Sequence, residues 1–409
     1  METTSKVGQG LMKLWEQESR FIMALYDMER RGVLIDQELC QDLSLQAEKR
    51  MLAVTESLGF RPSETTKLHP FLLDELKLPI LKRTDKGKPS FDKSVMEEYD
   101  LILELVEDHR AKEILEFRGW QKASSACYSS YLSLVSPDGR LRTSFKPFGT
   151  ITGRLSSEVP NLQQIPRASE KPWNGRVKQC FIPKPGFELW EFDYKTLEFR
   201  MAALYSGEPE LIERINAGED LHQATVEMIK LVAGLDYPRQ TIKTTNFLKL
   251  YGGSANKLAL QLKIKEHTRD DRDCVCEACR INKAWNKTFP LMRKVMYDAA
   301  DRASTRHYVT YWSGRRKHYG TRWNKGEEHK AFNALCQGGG AEVVKDAILR
   351  SKDFEVPNVV EQLLTVHDSV LWEIEKSQVE VYVPKIIGSM EDFDFAVDLR
   401  VDAHEWGKT

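Results

Sequence analysis

Two apolar, β-prone runs, Gln362 to Val366 and Ser369 to Ile374, are separated only by His367-Asp368. Two residues are too few for a crossover, so the runs must fold back as an antiparallel hairpin with a carboxylate at its tip. A third candidate strand, Phe187 to Asp193, also ends on an aspartate and leads directly into a helix from about Thr196 to Tyr205. An aspartate at a strand end has a fixed backbone and an exposed side chain, as a metal ligand requires. Most such residues cap helices or face water, so neither identifies a site alone. Two of them from distant parts of a chain can share a pair of Mg²⁺ ions, because hard divalent cations prefer carboxylate oxygen to imidazole or thiolate. Such a pair can activate an attacking hydroxyl and stabilise a leaving pyrophosphate.

A further helix is expected from Pro238 to Gly252, with Asp236 as its cap and Pro238 in its first turn. Arg239, Lys243, Phe247 and Tyr251 recur at steps of four. Each step advances about 400°, so the four drift over about 120° and share one face. Two cations followed by two aromatics can hold a triphosphate, then a sugar and base. The alternative is a solvated Arg/Lys pair beside two core aromatics. Upstream, Leu14, Phe21 and Leu25, then Leu39, Leu43, Leu45 and Leu52, predict two helices broken at Arg31-Gly32. Helical spacing returns from Ser94 to Ser133, and Gly/Pro-punctuated loop follows from about Leu141.

The net charge of −1, from 60 basic and 61 acidic residues, seems to argue against a polyanionic partner. Segregation reverses that inference. Asp236 to Lys330 carries a net +11 and Gly340 to Thr409 a net −8, as expected for a phosphate-binding lobe beside a cation-gathering one. Solvated surface charge is the alternative. No apolar stretch is long enough to span a membrane and no signal peptide opens the chain, so the expected compartment is cytoplasm. Seven cysteines predict reduced thiols. Three of them, Cys274, Cys276 and Cys279, lie downstream of His267. Together the four could complete a structural zinc site, although C-x-C-x-x-C is not a standard knuckle spacing and ordinary surface thiols are the alternative. Tyr308, Tyr311, Trp312 and Trp323 interleave with Arg315, Arg316, Lys317 and Arg322, as in a template-strand contact or a partly buried β region with a basic rim.

The ordered motifs resemble the family A, or DNA polymerase I type, polymerases. Thr152-Gly153-Arg154-Leu155-Ser156-Ser157 and Pro160-Asn161-Leu162-Gln163-Gln164-Ile165-Pro166 resemble one family signature. Asp193-Tyr194 through Glu198-Phe199-Arg200 is similar to motif A, Arg239 through Gly252 to motif B, and Val366-His367-Asp368 to motif C. The resemblance runs from about Glu18 to Trp406. It implies an α+β right-hand polymerase fold, with an antiparallel palm sheet, a helical thumb and helical fingers. The expected division is a leader at 1–15, palm base and thumb at 16–140, and a first palm segment at 141–205. Fingers at 206–330, with a cysteine-containing insertion at 266–280, and a second palm segment at 331–409 complete it.

Carried onto this sequence, the resemblance implies that Asp193, Asp368 and the Tyr194 carbonyl hold two Mg²⁺ ions. Arg239, Lys243 and His222 would bind the triphosphate, with Lys243 also acting as general acid on the leaving pyrophosphate. Phe247 would pack on sugar and base, Tyr251 would guard the template position, and Glu198 would crowd a ribose 2′-hydroxyl. Arg154, Asn161, Gln163, Asn333, Gln337 and His367 would line the primer-template, where polar donors meet minor-groove acceptors common to all correct pairs. Lys195, Thr196, Leu248 and His329 depart from the family's common residues, and Ser369 replaces the acidic residue that usually follows the motif C aspartate.

The expected reaction is template-directed addition of deoxynucleotides to a primer 3′ end. The rivals are a single-subunit RNA polymerase, against which Glu198 and Phe247 argue, and a catalytically inactive DNA-binding replication protein. The length leaves no room for a 3′–5′ exonuclease and suggests a phage-like enzyme, with a host repair polymerase as the alternative. Expected partners are primer-template DNA and deoxynucleoside triphosphates, with no membrane. Any proofreading or processivity would come from a separate exonuclease or processivity protein, and the chain itself is expected to be a monomer.

Overall fold

The computed structural model describes residues 2–166, 171–264, 274–320 and 329–407, which form two compact units. One unit gathers Met1–Arg30, Phe145–Ser156 and Gly186–Glu405; the other gathers Arg31–Ser144, Ser157–Pro185 and Trp406–Thr409. This division differs from the expected one. Residues 2–15 lie in a continuous helix, α1 (Glu2–Arg31). The expected 16–140 and 141–205 blocks are each split between the two units.

In the first unit, β1 (Phe187–Tyr194) leads into α2 (Leu197–Ser206). Next come α3 (Leu221–Ala233), α4 (Arg239–Leu250), α5 (Glu277–Thr288), α6 (Pro290–Thr305) and α7 (His329–Ser351). The hairpin of β2 (Val360–Val366) and β3 (Ser369–Glu375), then α8 (Val379–Glu391) and β4 (Val401–Glu405), close the unit. The sheet order is β4-β1-β3-β2 and every neighbouring pair is antiparallel. Val366 faces Ser369 across the two-residue turn, as the apolar runs predict. Phe192 and Trp372, both fully buried, meet edge to face at 6.5 Å. Burying each such side chain contributes about 2 kcal/mol or more, which fixes β1 against β3.

Two packing devices hold the long helices. Three consecutive glycines, Gly338 to Gly340, lie within α7. A Cβ on Gly338 would come within 2.1 Å of the Tyr311 ring, and one on Gly339 within 2.7 Å of the Tyr205 hydroxyl. The close approach offsets the roughly 0.5–1 kcal/mol that each helical glycine costs. Beside it lies a buried ion cluster. Glu342 accepts from Arg315 Nε at 2.7 Å and Ser313 Oγ at 2.9 Å, and Lys345 lies 3.1 Å from Glu18. Arg315 also contacts Glu18, so α1, α7 and the Tyr308–Thr310/Arg316–His318 hairpin are joined through one charge network.

The second unit is mainly helical, with helices at Gln37–Leu58, Lys93–Glu104 and Arg110–Ala123. Asp36 and Asp92 cap the first two through Leu39 N and Val95 N. Val33–Leu34 pairs with Arg140–Leu141, directly after the break expected at Arg31-Gly32.

Candidate active site

The two strand-end aspartates are brought together. Asp193 lies opposite Ser369 in the sheet register, and Tyr194 N donates to the Asp368 carbonyl at 3.3 Å. Both aspartates are half-buried. After β1 the chain turns through Thr196 in a left-handed conformation (φ +48°) and starts α2, which puts Glu198 in the first helical turn. Arg200 pins this turn from below: it is buried, and its Nε donates to the Lys195 carbonyl at 2.9 Å.

Above the aspartates runs a chain of polar contacts. Arg154 Nη2 lies 2.6 Å from Glu198 Oε1 and 3.3 Å from Asp368 Oδ1. Tyr251 donates to Glu198 Oε2 at 3.0 Å, and Gln337 Nε2 donates to Tyr251 Oη at 3.2 Å. Burial, with Glu198 beside it, pushes the Tyr251 phenol above its ordinary range, so it remains a donor at neutral pH. Arg154 reaches this point because Gly153 adopts φ +89°, and Tyr311 Oη anchors the preceding Thr152 carbonyl at 2.9 Å.

The α4 face is open as the spacing predicts: Arg239, Phe247 and Tyr251 are exposed and Lys243 is half-exposed, while Ile242, Asn246 and Leu250 are buried. The cap differs from expectation. Pro238 is the N-cap residue with no side-chain bond, and Asp236 instead pairs with Lys230 at 2.7 Å. Proline's fixed φ already suits the helix entry, so Asp236 is not needed there. Arg239 is held by Asp220 through hydrogen bonds of 3.0 and 2.6 Å, and Asp220 also caps α3 through Gln223 N at 2.8 Å. The guanidinium, together with that N–H, holds the Asp220 carboxyl down at about 2. His222 is buried, its Nδ1 lies 3.2 Å from Asn246 Nδ2, and its ring packs 5.6 Å from Phe247. Burial pushes its pKa down, leaving a neutral imidazole at pH 7.

Behind α4, Trp285 Nε1 donates to Asn246 Oδ1 at 2.8 Å, and Lys249 Nζ donates to Asn282 and Asn286 at 2.9 Å each. Lys249 is almost fully buried, and desolvation lowers its ammonium pKa to about 8. Asn333 and Gln337 lie one turn apart on α7; Asn333 Oδ1 is buried with no hydrogen-bond partner among the described residues. His367 is exposed at the hairpin tip with φ +54°. Asn161 and Gln163 belong to the second unit, where Asn161 Oδ1 accepts from Gln163 N at 3.1 Å.

The interleaved basic and aromatic region divides in two. Tyr311 is buried and Arg315 belongs to the ion cluster, whereas Arg316 lies over the Tyr308 ring at 4.5 Å on an exposed hairpin. His267, Arg322 and Trp323 fall outside the described residues, as does the side chain of His329. Sequence reading missed Glu191. It is buried within β1, accepts from Ser369 Oγ at 3.0 Å and lies 3.2 Å from His404 Nε2. A glutamate inside the otherwise apolar Trp190-Glu191-Phe192 run was the available signal.

Sheet, hairpin and helices together define an α+β fold of the right-hand polymerase class. The chain belongs to DNA polymerase family A, whose model matches residues 35–409. It is 31% identical over 410 residues to the thermostable DNA polymerase I of a Thermus thermophilus strain, covering 95% of this chain and 47% of that protein. To DNA polymerase I of Geobacillus stearothermophilus it is 30% identical over 415 residues, covering 96% and 45%. The chain thus spans about half the length of these curated relatives. Among solved structures it is similar to the polymerase domain of Pol1 from M. smegmatis in complex with DNA primer-template and dNTP. The TM-score is 0.82 and the identity 27%, covering 95% of this chain and 69% of that one. No helix among the described residues is long and apolar enough to cross a membrane.

Proposed function

We propose that this chain is a template-directed DNA polymerase that adds deoxynucleotides to a primer 3′ end. The observation that carries the reading is the backbone bond from Tyr194 N to the Asp368 carbonyl, which joins the two aspartate-bearing strand ends beside the Arg154–Glu198–Tyr251 contacts. The donors suit a hard divalent cation: two carboxylates and a carbonyl, all oxygen, with Asp368 already drawing a guanidinium toward it. Asp193, Asp368 and the Tyr194 carbonyl would hold two Mg²⁺ ions. Bound there, the ions would lower the pKa of the primer hydroxyl and neutralise charge on the triphosphate.

This chain's own residues would do the rest. Arg239 and Lys243, with His222 behind them, would bind the triphosphate. The primer 3′-hydroxyl would release its proton to solvent as its oxygen bonds to the α-phosphorus and the bond from that phosphorus to the bridging oxygen breaks, and Lys243 would pass a proton of its own to the departing pyrophosphate. Phe247 would pack on the sugar and base, and Tyr251 would close the template position. Arg154, Gln337, Asn333 and His367 in the first unit, and Asn161 and Gln163 in the second, would contact primer-template DNA. Cytoplasm is the proposed compartment, and no 3′–5′ exonuclease site is assigned to these 409 residues.

Glu198 supports this reading over an RNA polymerase. Tyr251 holds one of its carboxylate oxygens and Arg154 the other, an arrangement that would crowd a ribose 2′-hydroxyl. Primer extension with deoxynucleotides and ribonucleotides tests the choice. Deoxynucleotide preference in the wild type, weakened in Glu198→Ala, supports the proposal, and wild-type ribonucleotide preference contradicts it. Excision from a 3′-mismatched primer would contradict the absence of an exonuclease site.

A further inference from the structure

Outside this site the first unit holds a second chemical cluster. The Sγ atoms of Cys274, Cys276 and Cys279 all lie within 4.8 Å of one another, and all seven cysteines of the chain are thiols. A tetrahedral zinc ion with bonds of about 2.3 Å separates its sulfur ligands by about 3.8 Å, so these thiols need to close by at most about an ångström to share one ion. A disulfide would join one pair and leave the third sulfur aside; here three converge on one point. We propose that Cys274, Cys276 and Cys279 bind a structural zinc ion as thiolates, leaving its fourth position to a nitrogen or oxygen donor.

The position in the fold gives this ion work to do. Cys276 is the N-cap residue of α5, and Cys279 lies in its first turn. Helix N-termini stabilise thiolates, and a zinc ion with three of them has a net charge of −1, which the helix dipole favours. Cys274, which directly precedes this turn, is 6% exposed.

Through α5 the ion would reach the phosphate-facing helix. Trp285 and Asn282 of α5 hold Asn246 and Lys249 of α4, and Lys287 ties α5 to the Val232 carbonyl at the end of α3. The zinc ion would therefore fix the N-terminal end of the helix that supports α4 from behind. Only this last link rests on the proposed polymerase reading; zinc binding itself does not.

The full-length protein, purified from zinc-supplemented cells, tests the site by metal content and by replacement with Co²⁺. The expected result is about one zinc per chain and a thiolate-to-cobalt charge-transfer band of tetrahedral type. Cys276→Ser and Cys279→Ser should each lose the zinc, and seven thiols should titrate in the denatured, unreduced apoprotein. The Co²⁺ spectrum of the wild type requires no variant to fold. Wild-type protein with no bound zinc and no thiolate band overturns the proposal, as does zinc retained by both variants or a disulfide that removes two of the thiols. Because these readouts do not use DNA, they succeed or fail independently of primer extension.

Discussion

Arg239 grips Asp220 with two hydrogen bonds, of 3.0 and 2.6 Å, at the entrance to the helix face that also presents Lys243 and Phe247. The pair pre-positions the guanidinium, but it also occupies the hydrogen-bond donors that a triphosphate would need. Both side chains are about half exposed, so the pair itself contributes little to stability.

Asp220→Asn should retain a capping oxygen for α3 while removing the charge that competes for Arg239. We expect the KM for deoxynucleotides to fall by about two- to fivefold with the melting temperature nearly unchanged. Steady-state kinetics and a thermal melt check this, and an increased KM would show that Asp220 aids the bound state.

Glu191 touches Ser369, which adjoins Asp368, and lies two residues before Asp193 on the same strand. It would act by holding the aspartate-bearing strand ends in place. Glu191→Gln should lower kcat by about tenfold while leaving primer-template affinity unchanged. Single-turnover extension with parallel DNA-binding titrations separates this from general unfolding.

Lys249 gives a pH signature. Its folded-state pKa, about 8, lies below its ordinary value of 10.5. Below about pH 8 the lysine is protonated in both states and the cost of burying its charge is fully present. As pH rises further, the folded form releases the proton first, and the cost is relieved. The stability of the wild type relative to Lys249→Met should therefore rise, on the order of 2 kcal/mol between about pH 7.5 and about pH 9.5. Urea unfolding across that range measures it, and a flat difference would contradict it.

Glu342, fully buried, faces Arg315, Lys345 and Ser313. Glu342→Gln leaves the buried Lys345 and the partly buried Arg315 undercompensated and should destabilise the first unit by about 3 kcal/mol. A marked drop in melting temperature is expected; an unchanged melt would mean that Glu18 alone balances both cations.

These residues mark where the sequence was legible. The β2–β3 hairpin and the α4 face follow from local periodicity, and both appear at the expected positions. The ordered motifs also led to the family. The roles of Asp220 and Glu342 were not legible, and Glu191 showed only as a carboxylate in an apolar run, because each acts through a partner distant in sequence and periodicity carries no information about such pairings. Asp236 misled for a related reason: its position allows a cap on α4, but Lys230 competes for it and Pro238 does not need it. The two-unit division was hidden because Phe145–Ser156, including Arg154, leaves its sequence neighbours to join the unit that holds both aspartates.

In the proposed reaction Asp193 and Asp368 form one catalytic centre for nucleotidyl transfer. Single-turnover primer extension with Mg²⁺, run beside primer-template binding for the wild type, Asp193→Ala and Asp368→Ala, tests it most directly. Extension by the wild type is expected, with a loss of at least about a thousandfold in each variant and DNA affinity largely retained. Normal extension by either variant, or DNA binding without any extension by the wild type, would contradict it.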